Sequence, residues 1–285
     1  MKKDMRLNAS GFQIAFLVFA IALLAYPAQK YVGPALGIEE PGRIANRLFV
    51  FVPLIALLAL VPAFRRFAVH QLRVGIPSGR RTESAIVALA QIALPFAIAG
   101  ATVLWYWTIG GEMALARRIG DQRSIAAELA QASSVEGFLF SVLIAGVLAP
   151  IVEELVFRGL LYRAWEAQWG WFWSMLATSL VFAAYHPVPL AAFVGSVTFV
   201  VVLRRTGSLW APILVHAAGN IALWPVLMGR FYFQTAGKET GEIALWPFHL
   251  AALAVLAIAL PAYVWLARDP RAVDIPEEEP AASRC

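Results

Sequence analysis

Residues 140–165 read FSVLIAGVLAPIVEELVFRGLLYRAW, an apolar run interrupted by two adjacent glutamates, Glu153 and Glu154, and by Arg158. A helix crossing the hydrocarbon core of a bilayer needs about 20 apolar residues, and this stretch has the length for it. Carboxylates at such depth are costly, so they face a bundle interior and mark a functional site. The stretch therefore points to a membrane helix bundle and makes the glutamates the first functional candidates.

The rest of the chain agrees. Of its 285 residues 60% are hydrophobic and 14% charged, against roughly 45–50% and 25% in soluble domains. Apolar segments at about 11–28, 47–64, 84–108, 137–157, 171–187, 189–203, 209–228 and 244–266 predict eight membrane helices. The expected fold is an all-α polytopic membrane protein with a buried polar site formed by helices 4, 5 and 7. The first segment follows a basic start but no clean cleavage site follows it, so it reads as a retained helix rather than a signal peptide. Segments five and six, parted only by His186, Pro187 and Pro189, read as a tight hairpin or a broken helix.

Loop charges orient the bundle. With the N-terminus inside, the inner stretches 1–10, 65–83, 158–170, 204–208 and the tail from 267 hold 15 Lys and Arg; the outer ones hold seven, or eight with Arg47. This bias puts both termini in the cytoplasm. The chain divides into residues 1–136 (three helices and an outer loop), 137–228 (a core with the polar groups) and 229–285 (a last helix and a tail that reads as disordered). The outer loop 109–136 has helical spacing and could lie on the surface or cover a cavity. Cys285 is the sole cysteine, which excludes an intramolecular disulfide and a multi-cysteine metal site. The net charge of +5 is spread over short loops without interleaved aromatics, so nucleic acid is not an expected partner.

Three polar groups could carry chemistry. Glu154 and Arg158 are four apart and face each other on a helix, as an ion pair would. Glu153 points about 100° away and is left free to act as a general base. In SLVFAAYHPVP, Pro187 disfavours helix at His186, and a helix broken there can line a polar cavity; Phe182 stands one turn before. In HAAGN, His216 and Asn220 share a face, with Ala217, Ala218 and Gly219 between them leaving room for a neighbour or a substrate. His70 and His249 read as incidental. Ser141, Ser174, Ser179 and Ser196 have no GxSxG setting, and Ser208 reads as a helix N-cap. Glu153, His186, His216 and Asn220 could together activate water, hold zinc or relay protons, and the residues alone leave a hydrolase and a coupled transporter level. The HExxH zinc motif is absent.

EELVFRG at 153–159, FAAYH at 182–186 and HAAGN at 216–220 resemble, in order and internal spacing, the three motifs of the CAAX prenyl protease and bacteriocin-processing (Abi) family of intramembrane endopeptidases. The resemblance covers about 137–228; the first three segments share only their membrane character. It implies a glutamate-dependent peptidase in a bacterial cytoplasmic membrane, acting on a membrane-associated peptide or protein. Glu153 would be catalytic, with His186 helping to activate water and His216 and Asn220 orienting the peptide or facing the oxyanion. Glu154, Arg158 and Phe182 would shape the site. The resemblance leaves zinc open, with Glu153, His186 and His216 as its ligands if bound. A non-catalytic scaffold of the same fold is the remaining alternative. One tension stands: with these segment bounds Glu153 lies near the inner face and His186 near the outer one, farther apart than any direct contact allows.

Overall fold

A computed structural model describes residues 43–131, 142–184, 186, 188–221 and 246–268, together with residues 13, 17, 20 and 21. Most of segment one, residues 22–42, 132–141 and 222–245, and the stretch from 269 that includes Cys285 lie outside the described residues. The described chain is helical without strands. Helix α1 is Arg43–Leu60, α2 Pro62–Arg73 and α3 Ser78–Gln131. Helix α4 covers 142–162 in three pieces, π-helical Val142–Leu148, α-helical Ala149–Glu153 and π-helical Glu154–Tyr162. Helix α5 is Arg163–Ala184, α6 Pro189–Thr206, α7 residues 210–221 and α8 Trp246–Leu266.

Among the described residues three helices are long and apolar enough to cross a membrane, Ser78–Ala101, Pro189–Thr206 and Pro247–Leu266, or four if the bent pair α1–α2 counts as one. Their surfaces support the membrane reading. Phe248 (72% exposed), Val255, Ile258 (75%) and Trp265 on α8, with Ile86 and Leu89 on α3, face outward, an apolar belt beyond what a soluble monomer tolerates. Helix α6 is the opposite case: Val200, Val201 and Val202 are wholly buried, as on a helix apolar all round and packed on every side. Gly100 on α3 abuts the His249 backbone of α8 so closely that a Cβ would collide with its carbonyl.

Several boundaries differ from the sequence reading. The segment expected at 47–64 ends at Leu60, and α2 turns away at 93°, starting on Pro62, a favoured first helical residue. Much of the expected inner loop 65–83 is therefore helix. The expected outer loop 109–136 is helical as far as Gln131, continuing α3 past a break at Gly111 (φ 60°, ψ −152°).

The expected inner loop 158–170 is also helical, and the reversal comes at Gly170, with φ 73° and ψ 168°. That conformation is open essentially to glycine alone. The reversal removes the mismatch of depth: Glu153 and His186, and likewise Phe157 and Phe182, stand at nearly equal sequence distances on either side of Gly170. The Phe157 and Phe182 rings meet edge to face at 5.0 Å. The proline pair then ends the return helix at Ala184 and starts α6 at Pro189, leaving His186 in the break, as Pro187 led one to expect.

Among the described residues a group of basic side chains gathers at one end of the bundle. Gly207 closes α6 in a left-handed cap, its N–H donating to the Leu203 carbonyl at 2.8 Å, the usual use of glycine past a helix end. Arg205 pairs with Glu83 and donates to the Leu266 carbonyl at 3.0 Å, while Arg204 pairs with Glu166 and donates to the Ala267 carbonyl at 3.3 Å. Arg80 reaches Glu83 at 2.7 Å and the Tyr263 hydroxyl donates to it at 2.9 Å. Ser208 is the expected N-cap of α7, its Oγ accepting from the Trp210 N–H at 3.3 Å. At 1.5 Å per helical residue, Glu153 stands about 20 Å along the bundle from Glu166.

Candidate active site

The glutamates lie where α4 passes from α-helical to π-helical winding, an irregularity frequent at functional sites. Glu154 and Arg158 are both wholly buried, with Arg158 Nη1 3.1 Å from Glu154 Oε1. Arg158 Nη2 donates to Ser196 Oγ at 2.7 Å and to the Ser196 carbonyl at 3.3 Å; Ser196 Oγ donates onward to Ser179 Oγ at 2.9 Å. The guanidinium also lies between the Phe182 and Phe199 rings, 4.5 and 5.0 Å from their centroids. Burying this cation is tolerable because carboxylate, hydroxyl and two aromatic faces meet it together.

Glu154 has a second partner. His216 Nδ1 is 2.9 Å from Glu154 Oε1, across 62 residues of sequence. The His216 ring stacks on Phe199 at 4.5 Å. His186 is fixed in a parallel way: its Nδ1 donates to the Phe182 carbonyl at 2.7 Å, and its ring stacks on Phe182 at 4.1 Å. A ring whose Nδ1–H is committed turns Nε2 to the other side. Both Nε2 atoms face Glu153 Oε2, at 3.8 Å for His186 and 3.7 Å for His216. Glu153 and His216 are each 5% exposed, and the His186 side chain 24%. With neutral rings and an ionised carboxylate, three acceptor atoms converge, an arrangement suited to water donating into it or to a shared proton.

Asn220 lies one turn beyond His216, and its Nδ2 donates to the Ala145 carbonyl at 2.8 Å. The reason lies in α4. With π-helical spacing over Val142–Leu148, the Ala145 carbonyl would accept from residue 150, which is Pro150 and has no N–H. The Asn220 amide satisfies an oxygen that would otherwise be orphaned. It joins α7 to α4 and does not reach the Glu153 cluster directly.

Residues 135–222 match the family model described as type II CAAX prenyl endopeptidase, Rce1-like. The chain carries an Rce1-like domain. The matched stretch holds all three sequence motifs and supports the resemblance to the CAAX protease family, a family of membrane proteases. No curated protein and no solved structure shows a significant match.

Within the Rce1-like domain the structure brings together Glu153, Glu154, Arg158, Phe182, His186 and His216. Sequence reasoning missed Phe199, Ser196 and Ser179. The two serines, set aside as nucleophiles, serve instead to hold Arg158. The available signal was the spacing of Ser196 and Phe199 one turn apart, where segment six showed no titratable group. Among the described residues no group of three or more His, Cys, Asp or Glu side chains is spaced to hold a metal ion.

Proposed function

We propose that the protein is an intramembrane endopeptidase that hydrolyses a membrane-associated peptide or protein with water activated by Glu153. The single observation that carries this reading is the convergence of His186 Nε2 and His216 Nε2 on Glu153 Oε2, at 3.8 and 3.7 Å, with both rings fixed through Nδ1. Water held at this point loses a proton to Glu153 as its oxygen attacks the scissile carbonyl carbon. The second hydrogen of that water is accepted by a histidine Nε2, His216 or His186, which orients the nucleophile toward the carbonyl. Glu153 then returns its proton to the amide nitrogen as the C–N bond breaks, releasing a carboxylic acid and an amine. Glu154 is a positioning residue, holding His216 in one tautomer and compensating its charge when it is protonated, as the carboxylate of a catalytic triad does. No step passes through a metal. Zinc content measured before and after chelation decides the cofactor expectation separately.

In this reading eight helices span a bacterial cytoplasmic membrane, both termini and the basic end face the cytoplasm, and helices 4, 5 and 7 of that count form the site. The test is a comparison of peptides and membrane proteins from cells producing wild type or Glu153→Gln at equal levels. Fragments that accumulate only with wild type name the substrate; identical profiles from the two strains would count against peptidase activity at Glu153.

A further inference from the structure

The basic helix α2, PAFRRFAVHQLR, plays no part in the chemistry above. It contains no acidic residue, and Arg65, Arg66, His70 and Arg73 are exposed. None of the three arginines forms an ion pair with a described residue. Yet α2 is firmly seated. Phe67 and Ala68 are buried, and Phe67 lies so close to Gly159 that a Cβ there would come within 3.1 Å of its ring. Side chains beyond α6 hold the far end: Trp210 Nε1 donates to the Leu72 carbonyl and Ser208 Oγ to the Val74 carbonyl, both at 2.7 Å.

These contacts put α2 at the basic end of the bundle, between the start of α3 at Ser78 and the end of α6 at Thr206. The 93° bend sets α2 nearly perpendicular to α1. A helix lying across the end of a membrane bundle, apolar face inward and cations outward, has the form of an interfacial helix. A cluster of unpaired arginines at that level attracts anionic lipid headgroups.

We propose that α2 is an in-plane helix whose Arg65, Arg66 and Arg73 gather anionic phospholipids at the basic end of the bundle. Its occupant is the headgroup layer of the bilayer, on charge complementarity: the exposed face carries Arg65, Arg66 and Arg73 and no acidic residue. The inference is independent of peptidase activity, and its test needs no substrate.

Val69 is 45% exposed between these arginines. In a Cys285→Ser background, Val69→Cys carries a fluorescent dye, and the labelled protein is reconstituted in nanodiscs of phosphatidylcholine and phosphatidylglycerol. One lipid or the other is brominated at equal mole fraction. The expected result is severalfold stronger quenching by brominated phosphatidylglycerol, falling to parity at high salt and in Arg65→Gln/Arg66→Gln/Arg73→Gln. A single symmetrical size-exclusion peak shows that each variant is folded. Equal quenching by the two lipids in the parent protein, or a preference that survives in the triple variant, overturns the proposal. Equal quenching together with dye protection by polyglutamate would assign the face to an acidic protein partner and overturn it as well.

Discussion

Replacing Glu154 by leucine removes the carboxylate that lies 3.1 Å from Arg158. Both side chains are wholly buried, so solvent cannot screen the loss. Breaking a buried pair by deleting one partner costs about 3–5 kcal/mol, two to four orders of magnitude in the unfolding constant at about 1.4 kcal/mol per decade. Arg158→Met is expected to cost less. Its volume still fills the space beside Phe182 and Phe199, and His216 Nδ1 at 2.9 Å still donates to the remaining carboxylate. The double variant Glu154→Leu/Arg158→Met leaves neither charge stranded and is expected to recover most of the stability lost in Glu154→Leu, because apolar replacement of a buried pair is often nearly neutral. It is not expected to recover activity, since His216 has lost the oxygen that fixed its ring. Unfolding by SDS titration in mixed micelles measures the first effect and cleavage of a substrate peptide the second. Wild-type stability in Glu154→Leu, or full activity in the double variant, would refute the reasoning.

Gly170→Ala forces a side chain into a backbone conformation reserved for glycine and is expected to cost about 1–3 kcal/mol, read as a lower melting temperature. Because Gly170 sets the level of His186 against Glu153, activity should fall as well. Gly159→Ala places a Cβ 3.1 Å from the Phe67 ring and 3.3 Å from Leu209; overpacking of this kind costs about 1–3 kcal/mol, and Phe67→Leu in the same chain should relieve part of it in the same melting assay. Asn220→Ala orphans the Ala145 carbonyl and should destabilise by about 1–3 kcal/mol, whereas Asn220→Asp, which cannot donate when ionised, should do no better.

The sequence made parts of this site legible because they are local. The Glu154–Arg158 pair follows from a spacing of four, the Phe182–His186 stack from one helical turn, the end of the helix before His186 from the prolines that follow and the Ser208 cap from a serine before a helix. The Glu154–His216 bond was not legible, since no local rule links residues on different helices. The division between a paired and a free glutamate therefore holds, but Glu154 also holds an imidazole. Residues 158–170 read as a loop because Arg163, Glu166 and Gln168 are polar; in the fold they belong to the helical end where Glu166 meets Arg204. The bend before Pro62 was hidden inside an apolar run long enough to pass for one span. The Asn220 contact depends on a π-helical spacing that periodicity in sequence does not reveal.

The central claim is that Glu153 is the general base for water, and one measurement addresses it directly. Purified wild type and Glu153→Gln, matched for size-exclusion profile and unfolding midpoint, are assayed in nanodiscs against a peptide spanning a cleavage site identified in cells. The account predicts a loss in kcat of at least about 100-fold, the lower range of a general base's contribution, with little change in KM. Cleavage by Glu153→Gln at the wild-type rate would contradict it.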